Sequence, residues 1–132
     1  MKNHIKLTIL TPEKEFYSGE ILSLNTESDK GRFGILANHV PMIVPLKPTV
    51  TTFTLVNGEK LKAFTSSGVL RVQLGEVEML CGACEWPENI DAARARKAKE
   101  KAEEELAHND GVGYIRTENA VLRAIMRLKT KG

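Results

Sequence analysis

An acidic side chain, Asp91, occupies a position that the sequence otherwise assigns to the apolar face of a helix. At about 100° per residue, it falls in line with Ala95, Ala98, Ala102 and Leu106. Arg94 and Lys101 would flank this stripe together. An acid within an apolar face often marks a functional site or a specific partner. Spacing alone favours the plainer interpretation, in which Asp91 is a first-turn acid that complements the helix dipole and Asn89 is the N-cap.

The two cysteines form a single Cys-Gly-Ala-Cys motif at residues 81–84. Such a motif is typical of a redox pair or of half a zinc site. Zinc would require two further ligands, and His4, His39 and His108 are scattered without ligand spacing. A thioredoxin-like pair begins a helix, whereas this motif follows the strand-like run 77–80. We therefore favour structural cysteines over a redox pair and expect no metal site.

Composition indicates an ordinary globular chain. It has 132 residues, of which 42% are hydrophobic and 27% charged, and this length suffices for one core or for a compact domain with an appendage. The net charge of +2 and the absence of interleaved basic and aromatic residues argue against nucleic acid as a partner. No apolar run approaches the ~20 residues of a membrane helix, and no signal-peptide pattern opens the chain. We expect no direct membrane insertion and a cytoplasmic location.

Short strands are predicted for residues 1–85, with a turn signal roughly every 8–12 residues, as in a β-sandwich or barrel. The run 50–56 is β-branched, and Asn57-Gly58 after it predicts a hairpin with positive φ at both central residues. Residues 60–64 are predicted to form the second strand of this hairpin. The segment 25–34 predicts a loop that contains two glycines and makes a tight turn.

Two helices are predicted for residues 86–132. Ile90 to Leu106 contains no glycine or proline, a Gly-rich break covers 108–113, and a second helix runs to about Leu128. A short break between two helices predicts an antiparallel hairpin. Its alanine-rich face buries little apolar area, so the hairpin should be marginally stable and able to move. The predicted fold is a β-sandwich followed by this two-helix hairpin.

Seven short motifs occur along the chain in a specific order. They are Phe16–Gly19, Gly31–Ile35, Asn38–Pro41, Leu46–Pro48, Ser67–Val69, Ile90–Ala95 and Arg123–Leu128. In order and spacing they resemble the epsilon subunit of bacterial F-type ATP synthase over nearly the whole chain. No single motif is decisive, but their combination is highly specific.

That resemblance implies a ten-stranded sandwich and two helices in a non-catalytic subunit of the central stalk. The implied partners are the gamma subunit, the c-subunit rotor ring and, when the hairpin extends, the alpha and beta subunits of the catalytic head. The implied function is to couple proton flow to ATP synthesis and to inhibit ATP hydrolysis through the extended helices. The implied location is peripheral, on the cytoplasmic face of the bacterial plasma membrane.

The resemblance also implies a regulatory ATP site on the folded-down hairpin, with ATP favouring the non-inhibitory state. Its residues map onto Glu85, Asp91, Arg94, Lys101, Arg123 and Arg127. Lys101 replaces a family arginine, which keeps the charge but loses the planar fork. Arginines on two opposed helices would form a cationic cleft suited to a triphosphate, and the carboxylates would accept hydrogen bonds from a base or ribose. On pattern alone, a solvated basic face is the favoured interpretation of the second-helix arginines, and the resemblance reverses that preference.

The contact with the rotor ring is expected, by resemblance, on the loop 31–38 and its neighbour, through Gly31, Arg32, Phe33 and His39. Arg32 occupies a position where some relatives carry an acid, so the charge of the contact would differ. His39 lacks an evident nucleophile or acid partner, and we predict no catalytic residue. Two alternatives stay open: a free-standing ATP-sensing module, and a small redox enzyme that uses Cys81 and Cys84.

Overall fold

A computed structural model describes residues 4–108 and 113–132 of the chain, except for the side chains of residues 114 and 115. The described strands are β1 Ile5–Leu10, β2 Glu15–Ser28, β3 Gly31–Leu36, β4 Met42–Leu46, β5 Thr49–Leu55, β6 Lys60–Thr65, β7 Gly68–Gln73, β8 Glu76–Cys81 and β9 Cys84–Glu85. A 3₁₀ turn, Pro87–Asn89, leads to α1 Ala92–His108 and α2 Tyr114–Lys131. The predicted class, a β-sandwich followed by a helical hairpin, is confirmed. The described residues form nine strands rather than ten.

The long strand β2 connects the two layers of the sheet. Its first half pairs with β1, and its second half pairs with β3 and β5. The strand order is β1-β8-β7-β4-β2-β5-β6-β9, with β3 on the side of β2. All pairings are antiparallel except β1 with β8, which places Leu10 opposite Leu80. Because of this parallel pair, the β1–β2 turn lies next to the chain that leaves β8.

The sandwich core is aliphatic, with aromatic rings gathered at one end. In β1, Ile5, Leu7 and Ile9 are buried and alternate with more exposed residues, as expected for a strand with one face on a core. Trp86 stacks on Phe16, with ring centroids 4.4 Å apart. This contact fixes the chain at the point where it leaves the sheet for the hairpin.

The predicted loop at 25–34 is wrong, because these residues form an antiparallel β-hairpin. Strand β2 continues to Ser28 and β3 begins at Gly31, whose φ of 118° suits glycine at the turn. The sequence looked loop-like because polar residues face the interior. Thr26, for example, is fully buried and its hydroxyl is hydrogen-bonded to that of Thr51 at 2.9 Å.

The hairpin predicted at Asn57-Gly58 is present between β5 and β6. Its geometry differs from the prediction, since only Gly58 has positive φ (92°). The Leu55 N–H donates to the Glu59 carbonyl at 2.7 Å, which leaves a three-residue loop. Such loops place one glycine in the left-handed region. The Asn57 side chain instead accepts the Glu59 N–H at 2.9 Å.

The helical hairpin is folded onto the sheet, and α2 packs against β5, β6 and the 3₁₀ turn. Ala95 and Ala102 of α1 and Ala124 of α2 are buried, as small side chains at close helix contacts should be. Ala98 of the predicted apolar stripe is exposed. The second helix extends three residues beyond the predicted Leu128. Residues 109–112 of the predicted break lie outside the described residues.

One ionic network at the start of β5 predicts how stability depends on pH. Glu27 accepts hydrogen bonds from Lys47 at 3.0 Å and from the Thr49 hydroxyl at 2.9 Å, and Arg32 lies 3.7 Å away. Burial raises the pKa of Glu27, but these hydrogen bonds and the two positive charges together lower it below its ordinary value of 4.5. The network therefore stabilises the fold above that value and loses its effect as pH falls through the lowered pKa.

Replacing Glu27 with glutamine should lower the free energy of unfolding by about 1 kcal/mol at neutral pH. The same variant should also flatten the decrease in stability below pH 4.5, because the carboxylate that loses its charge there is gone. Urea unfolding at a series of pH values measures both effects. Glu76→Gln, at an exposed position of β8, is the matched control. If the free energy of unfolding of wild type and of Glu27→Gln changed in parallel with pH, Glu27 would not be the source of this pH dependence.

Candidate functional site

A cavity of about 500 Å³ lies where the helical hairpin meets the sheet. Four described parts of the chain line it: the β1–β2 turn, the segment 82–85 that enters β9, the 3₁₀ turn through Asn89, and the hairpin. Among the described residues, the hairpin contributes the start of α1 and, from α2, Arg127. The cavity is thus a seam between the two parts of the protein. We call it the seam cleft.

Asp91 is the N-cap of α1. Its carboxylate Oδ1 accepts the Arg94 N–H at 3.0 Å, and its carbonyl accepts the Ala95 N–H at 3.0 Å. The alternative of Asn89 as the cap is wrong, because Asn89 ends the preceding 3₁₀ turn. Asp91 therefore precedes the helix and is exposed, so no conflict with the apolar face arises. The spacing of Asp91 and Arg94 is fixed locally by this cap.

Glu85 and Arg127 form an ion pair that joins the sheet to α2. The Arg127 Nε donates to Glu85 Oε1, and the guanidinium carbon lies 4.4 Å from the centroid of the Phe64 ring. Phe64 is fully buried and pairs with Glu85 across β6 and β9. About a third of each charged side chain is still exposed, at 28% for Arg127 and 32% for Glu85. Within the described residues, Arg127 donates a hydrogen bond only through Nε, so its terminal amino groups have no hydrogen-bond partner there and could contact a ligand.

Two further cations line the seam cleft, Lys14 and Arg94. Neither forms a salt bridge with any residue in 4–108 or 113–132. Of the carboxylates in the cleft, Glu85 is paired with Arg127 and Asp91 caps α1, while Glu13 lies on the β1–β2 turn. The cations without a protein partner make the cleft suited to an anionic ligand that also carries hydrogen-bond donors.

The structure brings four of the six sequence-predicted nucleotide residues into the seam cleft: Glu85, Asp91, Arg94 and Arg127. Lys101 lies two helical turns after Arg94 and lines a separate open depression with Glu104, Glu105 and His108. Arg123 is half-buried one turn before Arg127 and does not line the cleft. A ligand confined to the cavity would therefore contact four of the six.

The β1–β2 turn is the part of the cleft that sequence reasoning missed. A turn was evident from Thr11-Pro12-Glu13, but nothing local shows that it lies beside residues 82–85. That proximity results from the parallel pairing of β1 with β8, two strands far apart in sequence.

The four residues predicted to contact a rotor ring are spread along the edge strand β3 and the segment after it. Gly31 and Arg32 lie at its start, and the Arg32 Nη1 donates to Thr49 at 2.9 Å. Phe33 is half-buried against the core, whereas His39 follows the other end of β3 and its Nδ1 donates to the Val40 carbonyl at 3.0 Å. Any such contact would run along the strand rather than sit on one loop.

The cysteines are free thiols at the ends of two strands, Cys81 in β8 and Cys84 in β9. A hydrogen bond with Cys81, together with burial, raises the pKa of the Cys84 thiol and disfavours its reactive thiolate. Within the described ranges, no three His, Cys, Asp or Glu side chains cluster in a way that could hold a metal ion. Neither described helix has the length and apolar character needed to span a bilayer.

The fold and the seam cleft define a class of two-part proteins, a β-sandwich with a helical hairpin folded back over a polar cleft. Residues 4–87 match the family described as "ATP synthase, Delta/Epsilon chain, beta-sandwich domain". Residues 88–132 match the corresponding "long alpha-helix domain". The chain therefore belongs to the ATP synthase delta/epsilon chain family, and the resemblance predicted from the motifs is confirmed.

Curated relatives match over nearly their full length. The ATP synthase epsilon chain of Clostridium kluyveri is 47% identical over 128 residues, which cover 97% of each chain. That of Clostridium botulinum (strain Okra) is 48% identical over 131 residues, 99% of this chain and 98% of the relative.

Solved structures share the fold at lower sequence identity. A chain of the Euglena gracilis mitochondrial ATP synthase (OSCP/F1/c-ring) superposes with a TM-score of 0.84 at 22% identity, covering 95% of this chain and 79% of the other. A chain of the Tetrahymena thermophila mitochondrial ATP synthase (central stalk/c-ring) gives 0.72 at 13% identity, with coverage of 97% and 96%. At these identities the likeness establishes the fold.

Proposed function

We propose that this chain is a non-catalytic rotor subunit in the central stalk of an F-type ATP synthase, where it couples proton flow to ATP synthesis. The full-length similarity to proteins named ATP synthase epsilon chain supports this role. So does the origin of the structural neighbours, which come from F1/c-ring and central stalk/c-ring assemblies. Its partners are the gamma subunit and the c-ring, with β3 and His39 toward the ring. Its place is at the cytoplasmic face of the membrane, peripheral to it.

The proposed regulation is a two-position switch of the helical hairpin. When extended toward the alpha and beta subunits, the hairpin inhibits ATP hydrolysis; when folded onto the sheet, it binds ATP and releases the enzyme. One observation carries this proposal: the seam cleft takes Glu85 from the sheet and Arg94 and Arg127 from the hairpin. A ligand in the cleft binds only the folded form and so shifts the population toward it. A coupling of ~1–3 kcal/mol is typical of such linkage.

The cleft residues divide naturally between the phosphates and the nucleoside of ATP. Arg94 and the terminal amino groups of Arg127 would bind phosphate oxygens, and Arg127 can keep its Nε on Glu85 meanwhile. Asp91 and Glu85 would accept hydrogen bonds from the base or the ribose. Lys101 and Arg123 take part only if the ligand extends along the hairpin beyond the cavity.

Calorimetric titration of the full chain with ATP, ADP and GTP tests the regulatory site. We expect saturable, ATP-selective binding that Arg94→Ala weakens at least about tenfold, as for a lost charge-assisted hydrogen bond. Asp91→Asn should keep the helix cap, because the amide oxygen can still accept the Arg94 N–H, but it removes the negative charge and one of the two acceptor oxygens. This variant therefore separates the capping role of the side chain from its proposed role as a hydrogen-bond acceptor for ATP.

Arg96→Ala is the matched control, since Arg96 is an exposed arginine two residues further along α1 and lies outside the cleft. It should bind ATP as the wild type does. If the wild type binds no ATP at millimolar concentration, the nucleotide switch is wrong. The family membership and the stalk role do not depend on that result.

A further inference from the structure

We infer, resting on the proposed ATP site, that the β1–β2 turn Thr11–Lys14 is the sheet-side wall of that site and that Lys14 binds nucleotide phosphate. The bound nucleotide then bridges the sheet domain and the hairpin through oppositely placed cations. Lys14 lies on the sheet side, and Arg94 and Arg127 lie on the hairpin.

The position of the turn is set by strand pairing. The register of β1 with β8 ends at Leu10 opposite Leu80, so the next residues of both strands emerge side by side. Thr11 and Lys14 thereby line the same cavity as Gly82 and Ala83. These two small residues leave room between the turn and the start of α1, which a ligand can occupy.

The turn is rigid enough to hold a charged side chain in a defined place. The Thr11 N–H donates to the Lys14 carbonyl at 2.9 Å. The Thr11 hydroxyl donates to the same carbonyl at 3.2 Å and accepts the Lys14 N–H at 3.3 Å. Pro12 fixes one further backbone angle within the turn. A preorganised turn loses little conformational entropy when a ligand binds.

The charge of Lys14 is available to a ligand because no carboxylate in the described residues pairs with it. Glu13 lines the same cavity from the same turn and opposes an anion there. The charges of these two neighbouring residues should therefore affect the affinity for ATP in opposite directions. Removing the lysine charge should weaken ATP binding, and removing the glutamate charge should strengthen it.

A role in regulation follows from the geometry. Each phosphate contact made by Lys14 exists only while the hairpin rests on the sheet, because the cations on the other side of the ligand belong to the hairpin. Lys14 therefore adds to the preference of ATP for the folded form and does so from the half of the protein that does not move.

Calorimetric ATP titration of Lys14→Gln, Lys14→Arg and Glu13→Gln in the full chain tests this inference. We expect about a tenfold weaker affinity for Lys14→Gln, near wild-type affinity for Lys14→Arg and about a two- to threefold gain for Glu13→Gln. Lys30→Gln, on the exposed β2–β3 turn outside the cleft, removes the same charge elsewhere and should leave the affinity unchanged. Since residues 13 and 14 are exposed, unchanged thermal melting should accompany every variant.

The outcomes separate this inference from the proposed function. If wild type and Lys14→Gln bind ATP equally, Lys14 is not a ligand and the inference is overturned while the ATP site stands. An equal loss in Lys14→Gln and Lys30→Gln means a general charge effect, which also overturns it. Failure of the wild type to bind ATP removes the proposed site, and this inference with it.

Discussion

Replacing Arg127 with alanine should release the helical hairpin from the sheet even without nucleotide. The substitution removes the ion pair with Glu85 and the contact of the guanidinium with Phe64. A partly exposed charge-assisted hydrogen bond and a cation–π contact together contribute about 2 kcal/mol. Hydrogen exchange of the α2 amides, followed by mass spectrometry, should therefore accelerate roughly 30-fold if the helix exchanges by leaving the sheet.

Arg116→Ala provides the control for this experiment. Arg116 is an exposed arginine of α2, so its loss changes the net charge and the helix composition in the same way. It should leave the exchange rates near those of the wild type. Glu85→Ala should reproduce part of the Arg127→Ala effect, and the double variant should fall short of the sum of both. Unchanged exchange in Arg127→Ala would show that this pair does not hold the hairpin.

Gly68→Ala should destabilise the sandwich more than any surface substitution, by about 3 kcal/mol or more. A Cβ at this position would lie 2.0 Å from the Leu80 carbonyl oxygen and 2.8 Å from the Cys81 Cα. Both are backbone atoms of β8, the strand that pairs with β7, and so they cannot rotate away. The effect is purely one of space, since Gly68 is not among the residues with positive φ. Urea or thermal unfolding would measure it.

Gly34→Ala is the matched substitution in an open part of the same sheet. Its Cβ would first meet the Asn25 side-chain nitrogen at 3.4 Å, which is an ordinary contact. Glycine in a strand interior carries a conformational penalty, so Gly34→Ala should change stability by less than about 1 kcal/mol. Equal effects of the two substitutions would mean that β7 and β8 can separate at no cost.

The two helices of the hairpin should leave the sheet together. The main contacts between hairpin and sheet are made by α2, and α1 packs on α2. A change that releases α2 from the sheet should therefore also release α1. The N-cap residue Asp91 and the side chain of Arg94 would then leave the cleft together with α1. A ligand that holds Arg94 against the sheet stabilises the same arrangement from the opposite side of the hairpin.

Features that depend on neighbouring residues could be predicted from the amino-acid sequence alone. Period-two alternation in β1 and the glycine-free run of α1 are consequences of strand and helix geometry, and they predicted the fold class. The spacing of Asp91 and Arg94 belongs to a helix cap, in which one residue bonds another three positions away. The order of motifs predicted the family. Each of these signals lies within a short stretch of chain.

Contacts between residues far apart in sequence became evident only in the three-dimensional structure. Polar Thr26 faces the interior because Thr51 of another strand satisfies its hydroxyl, so the apparent loop is a strand. Glu85 meets Arg127 across 42 residues of chain, whereas Lys101 points to another depression. Lys14 reaches the cleft because β1 pairs in parallel with β8. Such contacts depend on how whole elements pack, and packing is a property of the complete fold that no local pattern encodes.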